Sequence, residues 1–419
     1  MQVRTCVSAM ALLVGVFVVG SGCSATDDGG SGSPRDKQQG GGQGQGGNGG
    51  TPNFEDPGDG TDLDPPCNSN DPNADRDGDG YTPAQGDCND CDARMNPGAY
   101  DFAGNGVDED CNGTPDDEPV DCDVGLPENA NNPFDAAKSL GICRVRDEEK
   151  RTWGLVNARW VFPDGTPTSR NDFFNGCSPN PPNAQSRGIL TGFGPNVAPR
   201  EGSSMVAISS GVARAGTNGD SPSGAEMGVC SGPAPGFPIN SPSCGPGGFL
   251  PTNVANDGMA LELEIRVPTN AKSLAFDFNF YTYEFPEYHC SDYNDFFVAL
   301  LHSGHKQVPA NKNISFDNKG NPVSVNNAFV EVCKPNSVTP KGTVFPCALG
   351  EAELQGTGFE GHAATSWLQT KAGVLPGETI LLRFAIWDTG DHVLDSTALI
   401  DNFRWDVEEG EVETTPIPR

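Results

Sequence analysis

The chain has 419 residues, of which 26 are basic and 57 acidic, and its net charge is −31. This excess of negative charge excludes nucleic acid and anionic membrane surfaces as favourable partners and favours cations. The 54 glycines and 36 prolines favour a loop-rich, mainly β structure, because both residues are poor helix formers.

Residues 1–23 are predicted to be an export signal. Arg4 precedes an apolar run, Met10 to Val19, that is too short to span a bilayer. The small residues before Cys23 resemble a bacterial lipobox, with Gly20 where leucine is usual. The resemblance implies cleavage before Cys23, lipid on its sulfur and a place in the cell envelope, at the outer membrane or the cell surface. Ordinary cleavage after Ala25, and hence a secreted protein, is the alternative.

The rest of the chain divides by composition. Residues 24–66 are rich in Gly, Gln and Asp and have no side chains for a core, so they are predicted to be a disordered tether. Residues 67–123, which we call the acidic module, are poor in large apolar side chains and need metal or disulfides to fold. Residues 124–409 are predicted to be a β-sandwich domain, and 410–419 a flexible tail.

The cysteine count agrees with export. Apart from Cys6 in the leader and Cys23, an even number remains, which predicts up to six disulfides of open pairing. The Cys88–Cys91 spacing is zinc-like, but no second pair at zinc-ribbon spacing accompanies it. The twelve candidates are Cys67, Cys88, Cys91, Cys111, Cys122, Cys143, Cys177, Cys230, Cys244, Cys290, Cys333 and Cys347.

A cation site is predicted in the acidic module. Asp75, Asp77 and Asp79 alternate along a loop that Gly80 turns, and this D-x-D-x-D-G pattern supplies several oxygen ligands from one short segment. Gly86 stands where an EF-hand has its glutamate, so the loop is not an EF-hand proper; a merely solvated acidic turn is the alternative. A weaker copy begins at Asp108. The predicted ligands are Asp75, Asp77, Asp79, Tyr81, Asp87, Asp90, Asp92, Asp108, Asp110 and Asn112.

The larger domain shows strand patterns. Apolar residues fall at every second position in three runs, which predicts half-buried strands of an antiparallel, jelly-roll-like β-sandwich. One short helix is predicted over Pro133 to Leu140. The runs are Leu261, Leu263, Ile265 and Val267; Leu274, Phe276, Phe278 and Phe280; and Ile380, Leu382, Phe384 and Ile386.

Acidic residues near the strand ends allow a further site. A second cation site is predicted from Asp292, Asp295, Asp388, Asp391 and Asp395, with turn capping as the alternative. Carboxylate pairs such as Glu284 with Glu287, or Asp292 with Asp295, could in principle hydrolyse a glycan. The sequence has no zincin, nucleophile-elbow or Walker motif, and a non-enzymatic protein is expected.

Two resemblances to families are visible. "DRDGDGYTPAQGDCNDCDARMNPGAYDFAGNGVDEDCNG", residues 75–113, resembles the MopE-type metal-binding motif of bacterial surface proteins. "FDFNFYTYEFPEYHCSDYNDFFVALL" and "LRFAIWDTGDHVLDSTALIDNF", within 134–405, are similar to the choice-of-anchor L domain of such proteins. Some relatives of the metal motif are linked with copper, but hard oxygen ligands without a nearby histidine favour calcium here.

Together these observations predict a surface lipoprotein that binds calcium and presents a β-sandwich for adhesion or recognition of an extracellular glycan or protein. An extracellular glycan hydrolase and a structural envelope spacer are the alternatives.

Overall fold

The computed structural model describes residues 71–118, 122–128, 132–169, 184–216, 228–245, 253–327 and 329–418. All of them belong to one compact unit, Leu63–Arg419. Cys23, the predicted tether, Cys67 and Cys177 lie outside the described residues. Where the structure describes the chain, no helix has the length and apolarity needed to cross a membrane.

A single α-helix, α1 (Pro133–Ser139), lies between the acidic module and the strands in the described part of the chain. Its first residue is a proline, whose fixed φ suits the first helical turn. The Asn132 side chain accepts a hydrogen bond from the backbone N–H of Phe134 at 3.2 Å and caps the helix. The predicted helix is thus confirmed.

The first sheet is antiparallel and has the order β1-β5-β13-β7-β8, with β4 paired to β5. Arg383 of its central strand donates to Glu262 of the neighbouring strand, so an ion pair is buried within the sheet. Its strands are β1 (Gly154–Val161), β4 (Cys230–Ser231), β5 (Ala255–Arg266), β7 (Phe296–His302), β8 (Val323–Ser324) and β13 (Thr379–Asp388).

The second sheet is also antiparallel and has the order β15-β12-β6-β14-β3-β2, with β11 paired to β6. A separate hairpin joins β9 (Ser337–Val338) to β10 (Val344–Phe345). The strands of the second sheet are β2 (Arg187–Leu190), β3 (Met205–Ser209), β6 (Ser273–Thr282), β11 (Ala363–Ala364), β12 (Leu368–Gly373), β14 (Ser396–Asp406) and β15 (Glu413–Pro416).

The two sheets enclose one large hydrophobic core. Phe276 of β6 packs against Phe384 of β13 with ring centroids 4.8 Å apart, and Phe278 packs against Phe297 of β7 at 4.9 Å. All twelve residues of the three alternating runs lie in this core. The predicted inward faces of these strands, and the predicted β-sandwich, are confirmed.

The opposite face of β6 is buried as well, which corrects the expectation of half-buried strands. Every residue of β6 is buried. Tyr281 packs there against Phe193 and Phe359 in a second hydrophobic cluster built largely from the connections between strands. Alternation in sequence reports the apolar face, but it does not show that long connections cover the polar one.

The end of the chain also differs from the sequence prediction. Glu413–Pro416, assigned above to a flexible tail, form β15 and pair with β12. Thr414 accounts for this docking, because it is buried and its hydroxyl lies 2.9 Å from that of Thr370.

Four disulfides join described cysteines: Cys88–Cys111, Cys122–Cys143, Cys244–Cys290 and Cys333–Cys347. Cys91 and Cys230 are disulfide-bonded too. The Cys122–Cys143 bond crosses the boundary that the sequence predicts at residue 123, so the acidic module and the β-sandwich are covalently cross-linked.

Candidate metal centre

The first acidic loop, residues 75–81, is shaped by its own carboxylates. Asp75 accepts hydrogen bonds from the backbone N–H groups of Gly78 at 2.8 Å and Gly80 at 3.0 Å, one on each oxygen. Both glycines have positive φ, at 80° and 91°, a conformation that other residues rarely adopt. The D-x-D-G-D-G sequence therefore folds into a tight turn with its carboxylates on the inside.

Three carboxylates converge in this loop. Ligand oxygens of Asp75, Asp77 and Asp79 all lie within 4.8 Å of one another. Asp77 and Asp79 each accept one backbone hydrogen bond on Oδ1, while their Oδ2 atoms are buried without a hydrogen-bond partner. Buried oxygens of this kind are rare in folded proteins unless a ligand satisfies them.

Asp87 completes the surroundings of this group. Its Oδ2 atom is likewise buried without a hydrogen-bond partner, and the side chain lies close enough to repel Asp79. The pKa of Asp79 is raised to about 6, first by burial and then by the charges of Asp77 and Asp87. The pKa values of Asp77 and Asp87 are also raised, first by burial and then by neighbouring carboxylates. The electrostatic potential at the loop therefore favours a cation.

Asp90 and Asp92 lie near the group but are engaged by arginines. Asp90 accepts a hydrogen bond from the backbone N–H of Arg76 at 3.0 Å and lies 3.8 Å from its guanidinium. Asp92 forms a two-point pair with Arg94 at 2.8 and 2.7 Å, and this pair lowers the pKa of Asp92. Of the predicted ligands after the loop, Asp87 is thus the one with an unsatisfied buried oxygen.

The side chain of Tyr81 has a structural role. It is 3% exposed, its hydroxyl donates to the carbonyl of Arg151 at 2.7 Å, and the Arg151 guanidinium lies over its ring. Tyr81 is the seventh residue counted from Asp75, the position at which EF-hand loops use a backbone carbonyl as ligand. The backbone oxygen of Tyr81, rather than its hydroxyl, suits metal binding.

The second acidic loop, residues 108–117, repeats this hydrogen-bond pattern. Asp108 accepts from the backbone N–H groups of Asn112 at 3.1 Å and Gly113 at 2.9 Å, as Asp75 does in the first loop. Asp110 accepts from Asn112 at 3.2 Å, and Asn112 accepts from Thr114 at 2.9 Å. The weak sequence echo therefore corresponds to a real structural repeat.

The carboxylate group beside the second loop differs from the predicted one. Oxygens of Asp101, Asp110 and Asp117 lie within 4.8 Å of one another. Asp101 is fully buried with an unpartnered Oδ1 atom, and its Oδ2 atom accepts from the backbone N–H of Asp117 at 2.9 Å. Sequence reasoning missed Asp101 and Asp117. Asp101 lies just after the N-P-G-A turn, and Asp117 lies just after Gly113. These positions next to the repeat were the feature of the sequence that could have identified them.

The acidic module docks on the turn between β5 and β6. The Asn96 carboxamide oxygen accepts from Gly98 N–H at 2.9 Å and from the Thr269 hydroxyl at 2.8 Å. Asn270 accepts from the backbone N–H of Tyr100 and donates to its carbonyl, both at 2.9 Å. The N-P-G-A turn thus holds the module on the sandwich.

A second contact joins the module to the segment before β1. Glu118 is buried, accepts a hydrogen bond from the Trp153 indole at 3.0 Å and lies 3.1 Å from Arg144. The Trp153 ring packs between Tyr100 of the module and Trp405 of β14, with centroid distances of 5.2 and 6.3 Å. Through this contact, Tyr100 of the module packs against the hydrophobic core of the sandwich.

In the β-sandwich, the predicted acidic residues separate by burial. Asp295, Asp388 and Asp395 are fully buried at one end of the sandwich, and Asp391 is half-buried beside them. Asp292, by contrast, is exposed. Glu284 is buried at the same end whereas Glu287 is exposed. The cation site predicted from the sequence left out Glu284, although this residue lies two positions after the end of β6.

Comparisons with known proteins agree with both resemblances. Residues 248–403 match the family model "Choice-of-anchor L domain", and residues 87–117 match "Putative metal-binding motif". The second match contains Asp101, Asp110 and Asp117, and the first acidic loop precedes it. No curated protein matches the chain.

A solved structure was also found to be similar. The structure of TmCBM61 in complex with beta-1,4-galactotriose shares 10% sequence identity over 61% of this chain and 90% of that chain, with a TM-score of 0.21. Nothing is inferred from a similarity at this TM-score.

The fold, the carboxylate groups and the family matches define the class of protein. It is a mainly antiparallel β-sandwich protein whose acidic module matches a putative metal-binding motif. More specifically, its β-sandwich contains a choice-of-anchor L domain and its acidic module a MopE-type motif.

Proposed function

We propose that this protein is a surface lipoprotein in which calcium stabilises the acidic module and the β-sandwich binds an extracellular ligand. The observation that carries the proposal is the first acidic loop, where two buried carboxylate oxygens, Asp77 Oδ2 and Asp79 Oδ2, lack partners within a group of three carboxylates. A cation satisfies these oxygens and offsets the repulsion between the charges.

Calcium is the cation that suits these ligands. Among the described residues, the two groups in which three carboxylate oxygens lie within 4.8 Å of one another consist of aspartates alone. Hard oxygen donors in a flexible loop favour calcium, whereas copper and zinc favour nitrogen and sulfur ligands. The nearest cysteines, Cys88 and Cys111, are joined in a disulfide and offer no thiolate.

The proposed ligand surface is a cavity of about 440 Å³ beside β10, within the size range of small-ligand sites. His289, from the β6–β7 connection, contributes a buried Nδ1 atom without a hydrogen-bond partner. Lys319 and Glu331 contribute charges, and Phe345 contributes an aromatic ring. Polar groups around an aromatic ring are suited to a glycan or a polar segment of a protein.

The match to a choice-of-anchor L domain supports the proposed place at the cell surface, and the lipid predicted on Cys23 is the proposed means of attachment. The predicted tether spaces the folded unit from the membrane, so the cavity remains accessible to extracellular partners.

A non-enzymatic role is favoured by the burial of the candidate acids. Glu284 is 1% exposed and Asp295 is 0% exposed, so neither carboxylate is open to a polymeric substrate. Their sequence neighbours Glu287 and Asp292 are exposed.

A glycan array tests ligand binding. We expect the purified protein to bind a subset of glycans, and His289→Ala to lower this binding while the protein remains folded at the assay temperature. The matched control is His305→Ala, because His305 lines a different cavity. Binding to matrix proteins instead of glycans would assign the surface to protein recognition. If the protein binds neither glycans nor matrix proteins, the result would support the envelope spacer. Turnover of a bound polysaccharide would support the hydrolase.

A further inference from the structure

Strand ends bring several acidic residues together at one end of the sandwich. Glu284 follows β6, Asp295 precedes β7, and Asp388 is the last residue of β13. The β6–β7 connection and the β13–β14 loop meet there, because the backbone N–H of Asn294 donates to the carbonyl of Thr389 at 3.4 Å. We call Glu284, Asp295 and Asp388 the buried carboxylate cluster.

The cluster has no balancing positive charge. Across the described parts of the chain, no lysine, arginine or histidine forms an ion pair with any of its three members. Asp388 is fully buried and neither of its oxygens has a hydrogen-bond donor; Glu284 Oε2 and Asp295 Oδ1 also lack donors. Asp295 is supported by the hydroxyls of Ser210, at 3.5 Å, and Ser396, by the backbone N–H of Thr389, and by the Asp388 carboxyl when that group is protonated. Unpaired buried carboxylates in this number are strongly unfavourable.

Neutral polar side chains at the same place are unsatisfied as well. Asn294 is fully buried, and neither its amide nitrogen nor its amide oxygen has a hydrogen-bond partner. The hydroxyl of Thr389, also fully buried, has none either. These two residues neighbour Asp295 and Asp388 in sequence and are hydrogen-bonded to each other through their backbones. This second observation is independent of the acidic residues and also indicates a missing ligand.

We propose that the buried carboxylate cluster holds a divalent cation of the calcium class, with Asn294 and Thr389 as neutral oxygen donors. Carboxylate, amide and hydroxyl oxygens are the ligands that hard cations take in proteins. Such an ion joins the β6–β7 connection to the β13–β14 loop. Asp391, half-buried, adds negative charge at the edge of the site. The site is separate from both acidic loops.

Protons compete with a cation for the carboxylates of this cluster. Without a cation, burial and then the charges of Asp295 and Asp391 raise the pKa of Glu284 to about 10. Burial also raises the pKa of Asp295 to about 7 and that of Asp388 well above its usual range. An acid cluster that shares protons is therefore the alternative, and the experiment must separate it from a bound ion.

The experiment counts calcium in a protein whose acidic loops are disabled. Asp77→Asn, Asp79→Asn and Asp110→Asn are combined, and bound calcium is measured by equilibrium dialysis and elemental analysis. We expect this variant to retain a single calcium ion and to melt at a higher temperature in calcium than in chelator. Adding Asp388→Asn should abolish both the ion and the calcium-dependent shift. Adding Asp292→Asn, the matched control at an exposed position of the same connection, should change neither.

The proposal is wrong if the loop-disabled protein binds no calcium or melts identically in calcium and chelator. Retention of the ion after Asp388→Asn would also overturn it. If Asp388→Asn does not fold, the loop-disabled protein decides alone. Terbium luminescence sensitised by Trp387, the residue next to Asp388, then serves as a second measurement, and its absence would contradict the site.

Discussion

Arg144 lies 2.5 Å from Asp110, so a basic residue from the segment before β1 already neutralises one carboxylate of the second acidic group. The same guanidinium lies 3.1 Å from Glu118. In the first loop, the guanidinium of Arg151 instead donates to the backbone carbonyl of Gly80 and does not neutralise a carboxylate. We therefore expect the first loop to bind calcium more tightly than the second.

Arg144→Met should destabilise the protein in chelator by about 3–5 kcal/mol, because it leaves Asp110 and Glu118 as unpaired buried charges. Calcium should recover part of this loss, since Asp110 Oδ2 becomes accessible to the ion. Chemical denaturation in calcium and in chelator measures both effects. Arg94→Met is the matched control: the Arg94 side chain is 63% exposed, and its loss should cost no more than about 1 kcal/mol. Equal effects of the two changes would contradict a structural role for Arg144.

Asp79→Asn should weaken calcium binding to the first loop by about 10–100-fold or more, since loss of an outer-shell partner alone has effects of that size. Calorimetric titration should show one class of sites lost. Asp92→Asn should leave the affinity nearly unchanged, because that carboxylate is paired with Arg94. A larger effect at Asp92 than at Asp79 would place the ion elsewhere.

The loss of stability with rising pH should be smaller in calcium than in chelator. Burial raises the folded-state pKa of Asp79 to about 6 and those of Glu118 and Asp401 to about 7. Each is above its unfolded value, so the native state binds more protons than the unfolded state, and stability in chelator falls as pH rises from about 5 to 8. Calcium must displace the Asp79 proton, so stabilisation by calcium should grow over the same range. Melting curves across this range in both conditions check this; parallel pH profiles would refute it.

Phe278→Ala should cost about 3–5 kcal/mol, the usual range for truncating a buried aromatic side chain. Phe278 is fully buried and packs on Phe297 of the opposite sheet. Denaturant titration measures the change. Val338→Ala on the exposed β9–β10 hairpin is the control and should be close to neutral, because Val338 is 58% exposed. A loss below that of the control would show that the sheets do not pack through Phe278.

The mature protein should begin at Cys23 with lipid on its sulfur. Mass spectrometry of the protein purified from membranes checks this. Cys23→Ser should release the protein from the membrane fraction. An unmodified N-terminus at Thr26 would show ordinary secretion instead.

The interior of the sandwich could be predicted from sequence because alternating apolar residues in a strand point to one face. Residues such as Phe276 and Phe384 are therefore identifiable before their partners are known. The burial of Asp277 and Tyr281 on the other face of β6 could not be predicted, because it depends on long connections that fold back over the sheet.

The metal groups were partly predictable for a similar reason. Asp75, Asp77 and Asp79 lie in one local turn, whose geometry follows from the spacing of aspartate and glycine. Asp101 reaches Asp110 only through the fold of the module, and Glu284 reaches Asp388 across two strand connections. Contacts of this kind depend on tertiary structure and leave no local periodicity.

The position of the acidic module between the N-terminal residues and the sheets has a mechanical consequence. With the lipid anchor proposed at Cys23 in place, a pulling force along the chain reaches the module before it reaches the β-sandwich. The Cys88–Cys111 disulfide, with a sequence separation of 23 residues, keeps roughly 80 Å of extended chain from lengthening under that load. The Cys122–Cys143 disulfide then transfers the load to the segment that leads into β1. The module can thus serve as a cross-linked, stiff connection between the proposed anchor and the β-sandwich.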